Sequence, residues 1–193
     1  MATDFPRRLS FFAFTLSLLL FLQPPSFASA TQSSSSSSSN STSFIRSTCK
    51  KTQHYDICVA ALESDPRSSA ADLQVYAQIL IELTLANATN TYSFISKLVN
   101  ETDDDDVLRM CLYDCSAVYD IGINHLRDAL MFLGLREHVE VGKLAGEAGD
   151  EGVECENFFK TPPLPKSPSP LTSRNEMLEA LSSISKSIVG LLV

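Results

Sequence analysis

Thr48-Cys49-Lys50-Lys51-Thr52-Gln53-His54-Tyr55-Asp56-Ile57-Cys58 places two cysteines nine residues apart, and three more follow at Cys111, Cys115 and Cys155. What these cysteines do depends on where the chain goes. Arg7 and Arg8 form a short basic start, Phe11 to Leu22 is apolar but short for a membrane span, and Ala28-Ser29-Ala30 is a small-residue cleavage site. Residues 1–30 therefore read as a secretory signal peptide. An exported chain meets an oxidising compartment, where cysteines pair with one another rather than hold metal. Five is odd, so one thiol is left over. Which ones pair is open at this point.

Residues 31–43 are almost pure serine, with nothing to bury, and read as a disordered tail. Residues 44–193 read as one domain, large enough for a single core. Loss of the leader removes Arg7, Arg8 and Asp4 and takes the formal charge from −8 to −9. So acidic a chain repels nucleic acid and anionic lipid, and no later segment suits a membrane. An anionic polysaccharide would be repelled as well, which favours a protein partner.

The domain reads as helical throughout. Phe44 to Glu63 suggests two short helices, ended by Asp65-Pro66 because proline biases its predecessor away from helix. Asp72 is placed as the cap of a long helix running to about Val99, with Leu73, Tyr76, Ala77, Leu80, Leu83, Ala88, Phe94, Ile95 and Leu98 as its apolar stripe. Asp103 to Asp106 lacks the alternating ligands, glycine and distal glutamate of a calcium loop, and reads as a cap for the next helix. That helix, Val107 to Leu133, buries Leu108, Cys111, Leu112, Cys115, Tyr119, Gly122 and Leu126, with Gly134 as its terminator.

Arg136 to Phe159 carries Gly142, Gly146, Gly149 and Gly152, four of the seven glycines. At roughly 1 kcal/mol each against alanine, they make it a poor helix unless tertiary contacts hold it. A proline-rich connection from Pro162 to Pro170 leads to a last helix, Ser173 to Leu192, with Met177, Leu181, Ile184, Ile188 and Leu191 in helical register. The fold class is all-α: an up-down-up-down four-helix bundle preceded by a short N-terminal helical hairpin.

Three blocks resemble the plant invertase / pectin methylesterase inhibitor family, in the family's order. They are Thr48 to Cys58 with Leu62 and Asp65-Pro66-Arg67-Ser68, then Tyr113-Asp114-Cys115 with Tyr119, Leu126, Ala129 and Leu130, then Glu154-Cys155-Glu156-Asn157-Phe158-Phe159. The likeness spans about Phe44 to Leu192. It implies two disulfides, Cys49–Cys58 and Cys115–Cys155, with Cys111 the free thiol. It implies a secreted inhibitor, without cofactor or metal, that binds a carbohydrate-active enzyme one-to-one and blocks its substrate cleft. The location implied is the cell wall space, the apoplast, or the vacuole.

Two targets follow from the resemblance: pectin methylesterase, and acid invertase of the β-fructofuranosidase type. Invertase inhibitors of the family use a Pro-Lys-Phe loop before the last cysteine. Arg136-Glu137-His138-Val139-Glu140 stands there instead, which makes the esterase the leading target and invertase the alternative. No enzyme is read here: His54, His125 and His138 sit in no nucleophile elbow, metalloprotease motif or paired-carboxylate setting. A lipid carrier would need a denser disulfide net with adjacent cysteines. Asn40, Asn100 and Asn87 head Asn-X-Ser/Thr acceptors for sugar, with Asn87 the weakest because it falls inside a helix near its buried edge.

Overall fold

The structure is a computed structural model that describes residues 35–70 and 72–193, the side chains from residue 40. The signal-peptide segment and residues 31–34 lie outside the described residues. Six α-helices follow in order: α1 Ser35–Cys49, α2 Tyr55–Glu63, α3 Leu73–Glu101, α4 Asp106–Gly134, α5 His138–Phe158 and α6 Thr172–Val189. A 3-10 turn, Pro66–Ala70, joins α2 to α3. Among the described residues there is no strand, and no helix is long and apolar enough to cross a membrane. Helices α3 to α6 form the bundle, each packed on its sequence neighbour, and α3 closes the ring against α6.

The expectation of disorder through residue 43 is corrected. Helix α1 begins at Ser35, inside the serine tract, and Ser41, Ile45 and Thr48 fall on one buried face at helical spacing. Phe44 packs on Tyr76 with ring centroids 5.6 Å apart. Serine has little helix propensity of its own, so contact with the bundle supplies what composition does not.

Both expected caps are present. The Asp72 carboxylate accepts from Gln74 N at 2.7 Å, and that of Asp105 accepts from Leu108 N at 3.0 Å. Asp105 also reaches across the fold: its other oxygen accepts from Lys166 N at 2.8 Å, and Lys166 Nζ donates to Asp104 O at 2.7 Å. The proline-rich connection is thereby fastened to the α3–α4 turn. Gly134, expected to end α4, is instead its last helical residue, and no glycine has a positive φ. The left-handed residue is Arg136, with φ 62°. A non-glycine there is uncommon and marks a tight reversal into α5.

Candidate functional site

The cysteine pairs fix the frame. Cys49 and Cys58 are bonded with Cα atoms 5.6 Å apart, tying the end of α1 to α2. Cys115 and Cys155 are bonded with Cα atoms 4.6 Å apart, tying α4 to α5. Cys111 is a free, buried thiol whose Sγ donates to Phe158 O at 3.4 Å. Burial pushes its pKa up, and nearby Asp114 adds to the effect, so the nucleophilic thiolate is disfavoured.

A polar network that sequence reading missed joins all four bundle helices beside the second disulfide. Tyr119 OH on α4 donates to Asn175 Oδ1 on α6 at 2.9 Å. Asn175 Nδ2 donates to Glu156 Oε2 on α5 at 2.9 Å, and Thr172 Oγ1 donates to Glu156 Oε1 at 3.0 Å. From α6, Arg174 lies 4.2 Å over the Phe94 ring of α3 and reaches Thr91 at 3.5 Å. Burial raises the Tyr119 phenol far above its ordinary pKa, so it stays a neutral donor. One signal was available: a tyrosine on a buried stripe needs a partner for its hydroxyl.

The four glycines of α5 turn towards α6. A Cβ placed at Gly142 would meet Val189 Cγ1 at 3.8 Å, at Gly146 Lys186 Cδ at 3.2 Å, and at Gly152 Asn175 O at 3.1 Å. At Gly149 it would collide with Ser182 Cβ at 2.8 Å. The segment is thus a helix whose backbone lies almost directly on its neighbour. At one end this seam opens into a groove of about 510 Å³ whose lining includes Gly142, Gly146, Lys186 and Val189.

The three histidines lie apart from one another. His54 precedes α2, His125 lies mid-α4 with Nδ1 buried and unpartnered, and His138 Nε2 stands 3.1 Å from Gln74 Oε1. Among the described residues none hydrogen-bonds a serine, cysteine or carboxylate, and no cluster of His, Cys, Asp and Glu could hold a metal ion. What the fold offers is surface on a rigid frame, and its charge is uneven. Helices α4 and α5 carry ten carboxylates against three cationic side chains, whereas α3 and α6 carry four against three. Asn40 and Asn100 are exposed. Asn87 is half-buried mid-α3, its Oδ1 buried without a partner.

Comparison with known proteins is consistent across sequence and structure. The family model described as plant invertase/pectin methylesterase inhibitor matches residues 43–188. A pectinesterase inhibitor of Actinidia deliciosa is 33% identical over 183 residues, covering 95% of this chain and 94% of its own. A cell wall / vacuolar inhibitor of fructosidase, number 2 of Arabidopsis thaliana, is 33% identical over 144 residues, 75% of this chain and 80% of its own. The crystal structure of mutant form A of a pectin methylesterase inhibitor from Arabidopsis superposes with a TM-score of 0.66 at 21% identity, covering 75% of this chain and 94% of the other. At that identity the structural likeness speaks for the fold alone.

Proposed function

Because this chain belongs to the plant invertase/pectin methylesterase inhibitor family, we propose that it binds pectin methylesterase one-to-one and covers its substrate cleft. It is an enzyme inhibitor and not an enzyme. The observation that carries the esterase reading is the Actinidia inhibitor, alike over 95% of this chain. A second observation leans the same way. The α4–α5 reversal, where Pro-Lys-Phe would stand for an invertase, holds Arg136 to Glu140.

The mechanism is steric. Two disulfides, a four-helix polar network and capped helices hold the bundle's outer faces in place before binding, so little conformational freedom is lost on docking. Acid invertase is the second reading, favoured by the fructosidase inhibitor at 33% identity. The leader sends the protein to the cell wall space or the vacuole, and exposed Asn100 and Asn40 are its sugar sites, not Asn87.

The test is a parallel titration of oxidised protein, from which residues 1–30 have been removed, against a plant pectin methylesterase and a cell-wall invertase at acidic wall pH. Loss of esterase activity at a one-to-one ratio is expected. Loss of invertase activity alone would move the assignment to the second reading. Activity of both enzymes in the presence of folded protein would overturn both.

A further inference from the structure

The outer side of α4 is not what a solvated helix face should be. Met110, Tyr113, Ile121 and Met131 stand 46%, 59%, 45% and 54% exposed. Their spacings keep them within one narrow arc of the helix, together with exposed Ala117, Asn124 and Asp128. They form a single ridge about 30 Å long. Four large apolar side chains in one row are costly to leave in water, and aromatic residues and methionine are what the centre of a protein interface is enriched in.

The same ridge is edged with acid. Asp114, Asp120 and Asp128 are exposed, and none has an ion pair or hydrogen bond among the described residues. Cationic side chains are scarce there. Arg109 pairs with Asp106, and Arg127 donates to Asn124 Oδ1 at 3.0 Å. A face built this way complements a surface with basic side chains around apolar sockets.

Beneath the ridge α4 is held firmly. Cys115 is bonded to α5, Tyr119 to α6, and the Leu133 carbonyl accepts from Gln74 Nε2 of α3 at 2.9 Å. The outer face of α3 is different in kind. Thr89, Ser93, Ser96 and Asn100 each donate back to their own helix, at 2.8, 3.0, 3.0 and 2.9 Å, and carry no large apolar group. These four donors of α3 are used within the helix, whereas Asp114, Asp120 and Asp128 beside the α4 ridge have no such partner among the described residues.

We propose that the outer ridge of α4, from Met110 to Met131, is the face this inhibitor lays on its target enzyme, and that the enzyme presents basic side chains there. The assignment rests on the inhibitor reading above and names the surface that carries it. The carboxylates steer the encounter, and Tyr113 and Ile121 hold the complex once formed.

Three variants test it against the enzyme that wild-type protein inhibits, each first shown to keep the wild-type helical signal and unfolding midpoint. Asp114→Lys with Asp120→Lys and Asp128→Lys should weaken inhibition by about 100-fold or more at low salt, mainly through slower association. Tyr113→Ala with Ile121→Ala should weaken it about tenfold or more through faster dissociation. Ser93→Lys with Ser96→Lys on α3 should change it less than about threefold, as for a site outside the contact. Folded ridge variants that inhibit like wild type would overturn the assignment and leave the inhibitor reading intact. So would a loss of inhibition confined to the α3 variant. Inhibition of neither enzyme by wild type would overturn both readings together. Sedimentation at tens of micromolar closes the remaining route. A wild-type dimer dissolved by Ile121→Lys would give the ridge to a second copy of the chain and overturn its assignment to the enzyme.

Discussion

Gly142 and Gly149 lie two turns apart on one helix, yet adding the same methyl group to each should move stability in opposite directions. In a helix interior, alanine is favoured over glycine by roughly 1 kcal/mol. At Gly142 the new Cβ would rest 3.8 Å from Val189 Cγ1, an ordinary contact, so Gly142→Ala keeps the whole gain. At Gly149 it would stand 2.8 Å from Ser182 Cβ and 3.6 Å from Glu179 Cα. Ser182 Cβ is fixed to the backbone and has no rotamer that withdraws it. Helices α5 and α6 must therefore part by up to about 1 Å to restore a normal carbon–carbon separation. Overpacking of this kind costs about 1–3 kcal/mol, which cancels or exceeds the propensity gain. In a domain of this size 1 kcal/mol shifts the midpoint by about 2–4 °C. Calorimetry should find Gly142→Ala up by that amount and Gly149→Ala level or down by as much as twice it. Ser182→Gly added to Gly149→Ala should recover part of the loss. Equal rises in both single variants would refute the argument that close backbone approach is why these glycines are present.

Removing the Tyr119 hydroxyl with Tyr119→Phe leaves buried Asn175 Oδ1 without its donor, and a loss of about 1–3 kcal/mol is expected in urea unfolding with the helical signal unchanged. Replacing both members of a cysteine pair with serine should cost more for Cys115–Cys155 than for Cys49–Cys58. Their loops span 40 and 9 residues, for which chain entropy gives about 3.9 and 2.6 kcal/mol. Reversal of that order in denaturant titrations would show that local packing outweighs loop closure. The Arg67 guanidinium holds the Asp65 and Glu82 carboxyls below their ordinary range, while the amides of Leu108 and Lys166 do the same for Asp105. The folded state binds these protons less tightly than the unfolded one. Their stabilisation is therefore complete above the ordinary carboxylate pKa of about 4 and is lost as pH falls below it. Glu151, raised mainly by burial, opposes this by losing its penalty as it takes up a proton. Urea midpoints should hold level from pH 7 to about pH 5 and fall below about pH 4, with a shallower fall in Arg67→Met.

The bundle was legible because its signals are local. Asp72 and Asp105 stand where helix-capping chemistry wants them, and the stripes through Tyr76, Leu80, Tyr119, Leu126, Ile184 and Ile188 are all buried. Leu83 and Met177 fit their stripes but are 37% and 38% exposed, because they line a shallow groove of α2, α3 and α6 that periodicity cannot reveal. The serine tract misled because tertiary contact, not composition, orders Ser41 to Cys49. Gly134 misled because either glycine or a strained neighbour can make a reversal, and here Arg136 does it. The glycines of α5 announced close packing, but the residues they face lie far downstream, from Asn175 for Gly152 to Val189 for Gly142. The charged, apolar ridge of α4 was hidden for a related reason: a stripe search looks for buried positions and passes over apolar residues on the far side.

The order in which the chain leaves the ribosome gives the glycine seam another meaning. Helix α5 emerges before α6, and four glycines at roughly 1 kcal/mol each leave it a weak helix until α6 arrives to cover it. Until then α4 alone sets Cys155 against Cys115, and the polar network lacks Asn175 and Thr172. A chain cut short before Thr172 would leave the glycine face of α5 and the core side of α3 and α5 uncovered. The eighteen-residue helix Thr172–Val189 is thus the support on which α5 depends, although the chain reaches it only after α5 has been made.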